Sequence, residues 1–530
     1  MPEKFDAIVI GGGHNGLVNA AYLARAGKKV LVLERRPVIG GASVTEEVYP
    51  GFKFTVFSYV VSLLRPEIIR DLELARHGLT ILPLESTLTP LLDGSYLYRD
   101  GDHYRTMRAI ARFSRRDADA YEDYSHTMYF MAKAVKPVLD LVPPDPTSLN
   151  PAELSRLLLF ARPYLKLEPY QLHTLVRLMT MSSADFVERW FESEPLKGTL
   201  SASGIIGTFL GPRSPGTAYV LLHHYMGEID GAFRAWGFAK GGTGGISDAI
   251  ARAAKSLGAQ VRTEAPVAKL IVKNGKATGV ALENGDEIAA DVIVSSLDPR
   301  RTFLDLVEPG YLPDELLESL RRYAFRGSSG KVNLALDGLP ELACLPGAGR
   351  HLSGAISISP SVDYIERAYD EAKYGDFSHQ PYIDTIIPSM IDPDMAPPGK
   401  HVMSCFVQYA PYHLRRGTWD EKREEFGDVV VETLSQYFPN LKNLILHRQV
   451  LTPLDMERMV GLSEGNIFQG ELSLSQLFFL RPAAGHARSR TPVRSYYQCG
   501  SGTHPGGGIS GASGRLAALE ILKDWRGKRQ

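Results

Sequence analysis

The segment FDAIVIGGGHNGLVNAAYLARAGKKVLVLERR, beginning at Phe5, constrains this chain more than any other stretch. Residues 5–10 predict an apolar strand, and residues 17–26 ahead of Gly27 predict an alanine-rich helix. Between them Gly11, Gly13 and Gly16 follow the spacing G-x-G-x-x-G. In that pattern the first glycine permits the tight turn, the second lets main chain approach a pyrophosphate, and the third lets helix and strand pack closely. The helix start adds its partial positive charge. A second strand over 29–33 runs into Glu34, eighteen residues beyond Gly16, where a carboxylate can accept hydrogen bonds from ribose hydroxyls. Arg35 and Arg36 would instead suit a 2′-phosphate, so the segment alone admits FAD, NAD or NADP.

Two further glycine clusters favour FAD. Ile39-Gly40-Gly41-Ala42-Ser43 brings a second main-chain segment to the same dinucleotide. Near the C-terminus, CGSGTHPGGGISGASGRLAALEIL carries Gly500, Gly502, Gly506, Gly507, Gly508 and Ile509 ahead of a small-residue helix starting near Ser510. Such a helix start, aimed at the N1/O2 edge of a flavin, would stabilise the negative charge of the reduced ring.

Together these segments resemble the phytoene desaturase-like branch of the FAD-dependent amine oxidase and desaturase superfamily. More narrowly, IGGASVTEEVYPGFKFTVFSYVVSLLRPEIIRDLELARHGL, GNIFQGELSLSQLFFLRP and GSGTHPGGGISGASGRLAA look like the subfamily named pyridine nucleotide-disulfide oxidoreductase domain-containing protein 2. The resemblance runs over essentially the whole chain. It implies an α/β fold: a Rossmann-type FAD-binding domain with an inserted α+β substrate domain. It also implies FAD contacts at Gly11, Gly13, His14, Gly16, Glu34, Arg35, Gly40, Gly41, Ala42, Ser43, Val267, Gly500, Gly507, Gly508 and Ile509, with Val267 at the adenine end through its backbone. Periodicity alone reads Val267 equally well as core. Two departures stand out. Many relatives place an arginine after the glycine doublet, whereas Ala42 and Ser43 stand here; and Cys344, Cys405 and Cys499 form no C-x-x-C, so disulfide chemistry has no residues to carry it.

In the middle of the chain Gly241-Gly242-Thr243-Gly244-Gly245 precedes a helix and reads as another cofactor segment, and the turn pairs Asn274-Gly275 and Asn284-Gly285 predict hairpins. The expected division is a discontinuous FAD-binding domain from 1–75, 225–300 and 470–530, with 76–224 and 301–469 forming the substrate-binding domain. In the first insert Asn150, Pro151 and Glu153 predict a helix start, followed by Leu154, Leu157, Leu158 and Phe160 among Arg156, Arg162 and Lys166. This amphipathic helix reads as packed into the core, the other reading being a membrane-facing entrance for a lipophilic substrate.

For chemistry, His504 in THPGGG is the leading candidate as acid, base or flavin-tuning group, or else as a structural histidine of the glycine loop. His14 reads as a cofactor contact at the pyrophosphate end. Arg481 and Gln476, with Glu464 and Gln469, cluster just before the last glycine segment and are expected to line a substrate channel. No metal-ligand spacing and no G-x-S-x-G elbow occurs, so no metal is expected and hydrolytic mechanisms drop out. With 59 Lys+Arg against 60 Asp+Glu nothing advertises nucleic acid as a partner. No export signal or spanning run is evident, so a cytoplasmic protein, with peripheral membrane contact or an organellar location as variants, is the expectation. The activity expected is FAD-dependent hydride transfer on a hydrophobic, unsaturated substrate; the rivals are amine oxidation and a flavin-containing binding or assembly protein.

Overall fold

A computed structural model describes residues 4–527. Two sheets organise it. The first has the order Gln260–Arg262, Val30–Leu33, Phe5–Ile10, Glu287–Ser295, Lys276–Leu282, Val267–Lys273, with Tyr496–Gln498 beside the far half of Glu287–Ser295. The strands around Phe5–Ile10 run parallel. The hairpins at Asn274-Gly275 and Asn284-Gly285 form the antiparallel meander.

Parallel strands buried on both faces need apolar residues at successive positions, and Ala7–Ile10 supplies them, while Asp6, only partly buried at the strand's start, accepts from the Lys29 amide. Ala7 and Val9 point to one side, where Val30, Val32, Val292 and Val294 meet helices His14–Arg25, Gly244–Ser256 and Ala512–Gly527. Ile8 and Ile10 point to the other, against Leu31, Leu33, Ile293 and the meander. Residues 303–320, assigned from sequence to the substrate domain, pack on that second face through Phe303, Leu316 and Leu320. The apolar spacing of helix Asp314–Arg321 could not say which sheet it covers.

The second sheet has the order Ile445–Leu451, Ser329–Leu336, His401–Gln408, Tyr382–Ile386, Ala355–Ile358, Ser86–Pro90, Tyr96–Asp100, antiparallel except where Ala355–Ile358 joins Ser86–Pro90. Alternation sorts its faces. Val332, Leu334 and Leu336 pack with Phe426 and Val430 of helix Trp419–Ser435, whereas Lys331, Asn333, Asp384 and Phe406 lie on the opposite face, toward Thr55, Val56 and Tyr59. A helical cluster, including Arg115–Val135 and Thr217–Tyr225, completes this part of the molecule.

Asn150 caps helix Pro151–Ala161 as expected, its side chain accepting from the Ala152 amide at 2.9 Å. The helix is not packed into the core. Leu158 is 68% exposed and Leu165, just beyond it, 76%. Its one buried side chain is Glu153, held by Arg156 and Arg488. Among the described residues no helix is long and apolar enough to cross a membrane.

Candidate active site

Helix His14–Arg25 begins three residues earlier than its apolar pattern suggests, directly on the glycine loop, with Gly13 as its N-cap. No side chain caps it and no acidic residue lies in its first turn. Its leading amides are therefore left for an external acceptor, which is what a pyrophosphate requires. A Cβ on Gly13 would meet nothing within 4 Å, so the space above it is open. Gly16 is the opposite case: a Cβ there would run into the Gly11 carbonyl oxygen and approach Ser296 Oγ at 2.9 Å.

Glu34 holds this loop from below. Its Oε2 accepts from the Gly12 amide at 2.8 Å and its Oε1 from the Arg36 amide at 2.9 Å, leaving lone pairs for a ribose. Arg36 is paired with Glu46, and Arg35 donates to the Arg458 carbonyl at 3.0 Å. Residues 262–265 lie along the same strand end, the Ala265 amide donating to the Glu34 carbonyl at 2.9 Å. Val267 follows at that end, partly buried against the meander core. The second doublet meets the first loop: the Gly40 amide donates to the Gly12 carbonyl at 2.9 Å, and Gly41 lies against Gly13.

A cavity of about 140 Å³ opens beside this junction. His14, Ala42, Ser43, Gly508 and Ile509 line it from the cofactor side, and Tyr59, Ile206, His224, Trp236, Phe406 and Phe468 from the other. Burial lowers the His14 imidazole to about 4 despite a backbone hydrogen bond to Gly508, so it is neutral at pH 7. Its Nε2 is buried without a partner. His14 thus sits on the cavity wall, joined to the C-terminal glycine loop, and not solely at the pyrophosphate end. The bare helix start, the open space over Gly13 and this orphaned nitrogen fit a flavin dinucleotide.

The remaining site residues divide differently from expectation. Arg481 is fully buried and donates to five main-chain carbonyls, those of Phe468, Gly470, Glu471, Gln476 and Ser501, at 2.8 to 3.2 Å. Gln476 clasps Ala324, accepting from its amide at 2.7 Å and donating to its carbonyl at 3.0 Å. His504 places Nε2 3.1 Å from the Val138 carbonyl, and burial lowers it to about 4; it does not line the cavity. All three hydrogen-bond to main chain and none lines the cavity, so Arg481 and Gln476 lie away from the expected substrate channel, and His504 stands in the structural place that was the alternative to its chemical one. Glu464 pairs with Arg300 at 2.7 Å, and Gln469 bridges the Ser296 carbonyl and the Gly502 amide.

Several glycines also serve packing. Gly507 lies under the Phe468 ring, Gly500 against the Ser296 and Leu297 carbonyls, and Gly242 and Gly244 against Thr45. The Ser43 hydroxyl donates to the Thr243 carbonyl at 2.8 Å, so it ties two loops together. Sequence reasoning missed the far wall of the cavity. Its aromatics come from segments about four hundred residues apart, and only two of them, 57–63 and 467–468, carried a signal, each as part of a longer motif.

A model of the family described as flavin containing amine oxidoreductase matches residues 16–522. The chain belongs to this family. A relative from Rattus norvegicus, pyridine nucleotide-disulfide oxidoreductase domain-containing protein 2, is 42% identical over 99% of this chain and 94% of its own length. A phytoene desaturase (lycopene-forming) from Paracoccus sp. is 26% identical over 99% of this chain and 98% of its own. In fold, an oxidoreductase from Methanosarcina mazei superposes with a TM-score of 0.62 at 18% identity, covering 98% of this chain and all of the other. As a member of the flavin-containing amine oxidoreductases the protein is an FAD-dependent oxidoreductase with an α/β fold. Its three cysteines are free. Burial pushes Cys405 up to about 11 and raises Cys499 further, so neither is a thiolate at neutral pH. Among the described residues no group of acidic, histidine or cysteine side chains could hold a metal.

Proposed function

We propose that this oxidoreductase transfers hydride between FAD and a carbon atom of a hydrophobic, unsaturated substrate, by desaturation, saturation or redox-neutral isomerisation. The observation that carries this reading is the cavity wall at His14, Gly508 and Ile509, which contains no Asp, Glu, Lys or Arg. An aliphatic ammonium would enter it without a counter-charge, whereas a hydrocarbon loses nothing there. The name of the Paracoccus relative supports the same chemistry.

In this reading the main chain at Gly13 and the bare helix start take the pyrophosphate, Glu34 the ribose, Val267 the adenine end, and Gly40–Ser43 with Gly508–Ile509 the flavin side. FAD, when bound, supplies the hydride acceptor or donor. The apolar wall excludes water and orients the chain of the substrate. Nε2 of His14, neutral and unpartnered, is available to hydrogen-bond to the dinucleotide.

Anaerobic mixing of oxidised and of reduced holoprotein with lipophilic alkenes, and separately with amines, tests the reading. A change in visible flavin absorption with an alkene, or an isomer of unchanged mass, is the expected result. Hydrogen peroxide formed in air from an amine, with every alkene silent, would replace it with amine oxidation.

The leucines of Pro151–Ala161 and Leu165, with Arg156, Arg162 and Lys166 nearby, support contact with an anionic lipid surface, the route by which such a substrate arrives. The double variant Leu158→Glu, Leu165→Glu is expected to reduce co-sedimentation with phosphatidylserine vesicles several-fold while retaining FAD. Equal sedimentation of variant and wild type would remove the membrane contact.

A further inference from the structure

A second cavity, of about 650 Å³, adjoins the first and shares Tyr59, Val60, Ile206 and Trp236 with it. Its chemistry is different. Four acidic and four arginine side chains line it, and their pairing is uneven. Asp100 and Asp102 are matched by Arg105 at 3.0 and 3.3 Å, and Glu85 by Arg350 at 2.7 Å. Asp384 accepts from the Tyr59 hydroxyl at 2.6 Å, and burial holds its carboxyl up at about 6.

Arg99 and Arg234 are left over. Arg99, in strand Tyr96–Asp100, is only 8% exposed, and Arg234 is half-buried beside the short hairpin of Glu228–Ile229 and Ala232–Phe233. Among the described residues neither has a carboxylate within 4.0 Å. Their neighbours are phenols: Arg234 donates to the Tyr121 hydroxyl at 3.3 Å and lies 4.5 Å over the Tyr225 ring. Burial, and then the charge of Arg234, depress Arg99, whereas Arg234 is raised, the phenols of Tyr225 and Tyr121 outweighing its burial. Burial would push the Tyr121 phenol up, yet the two guanidiniums outweigh it and draw Tyr121 down to about 8. Two cations held together in a buried place without an anion are costly, and a ligand that supplies the anion removes the cost.

We infer that Arg99 and Arg234 form the head-group site for a lipophilic substrate that ends in a carboxylate, whose hydrocarbon chain passes Ile206 and Trp236 into the uncharged cavity at His14 and Gly508. The inference rests on the function proposed above and names the substrate class within it. Guanidinium forks match a carboxylate geometrically, and Tyr121 adds a hydroxyl.

The test is calorimetric titration of FAD-loaded protein with oleate, methyl oleate and oleyl phosphate, each below its aggregation threshold. Oleate is expected to bind about 10- to 100-fold more tightly than methyl oleate, the range that charge-assisted hydrogen bonds to a carboxylate provide. Arg234→Gln is expected to erase that difference with the FAD content unchanged. The comparison of acid with ester needs no variant, so it stands even if Arg234→Gln fails to fold. Equal binding of oleate and methyl oleate would overturn the head-group site and leave the hydrophobic-substrate reading intact. Tighter, Arg234-dependent binding of oleyl phosphate would overturn the carboxylate in favour of a phosphate. Binding of none of the three by protein that holds FAD would overturn both this inference and the proposed function.

Discussion

Gly13→Val yields a folded protein that has lost its yellow colour: this is the expected result of separating what the glycine loop does for the fold from what it does for FAD. Gly13 has φ −70° and ψ 167°, an ordinary extended conformation for any residue. A Cβ there meets no atom within 4 Å, so the polypeptide itself does not require glycine. The cost to stability is confined to a poorer helix cap, about 1 kcal/mol. The added side chain occupies the space through which a pyrophosphate must reach the amides of the first helical turn. FAD is therefore expected to be lost during gel filtration while the circular dichroism spectrum and melting behaviour stay close to wild type.

Gly16→Val is the control for that argument. Its Cβ would be driven into the Gly11 carbonyl and toward Ser296, where strand, loop and helix already touch. Loss of soluble protein is expected, not a soluble apoprotein. If Gly13→Val kept one FAD per chain, the pyrophosphate would have to lie elsewhere and the opening motif would have only a structural meaning.

These two glycines also show what the sequence carried and what it did not. The strand, turn, helix and acid are local, with fixed spacing and one physical role each, so residues 5–34 could be read in order. The two hairpins of the meander were legible for the same reason, since Asn-Gly pairs mark their turns locally. Arg481 and Gln476 were expected at the substrate because their types suggested chemistry, and His504 was left between chemistry and a structural role, while the partners of all three are main-chain groups of other segments. Nothing in THPGGG indicates that Nε2 of His504 will meet Val138. The apolar helix Pro151–Ala161 was read as core because amphipathicity is the same signal for a helix that packs inward and one that lies on a surface. The Arg99–Arg234 pair arises only where the second sheet meets the helical cluster and its hairpin, and the aromatic wall only where separate loops and the strand carrying Phe406 converge, so no local spacing announces either.

Arg481 provides the largest effect on stability. A guanidinium with no carboxylate partner among the described residues, fully buried, is tolerated because its N–H groups reach five carbonyls, of which that of Glu471 also accepts from Gln476. Four of those carbonyls belong to residues 468–476, which carry Phe468 onto the cavity wall, and the fifth is Ser501, at the start of the last glycine loop. Arg481→Met removes every donor and leaves the carbonyls buried, a loss of about 3 to 5 kcal/mol. Arg481→Lys is expected to fare little better, since an ammonium has three donors on a single point and cannot span acceptors arranged around a planar fork. Both variants should melt well below wild type in calorimetry, and both should release FAD before unfolding completely, because the loops that Arg481 ties together flank Gly508 and Ile509. A catalytic role predicts the reverse for Arg481→Lys: unchanged melting, full FAD content and a fall in turnover alone. That outcome would return Arg481 to the chemistry and make its five carbonyl contacts incidental to its placement.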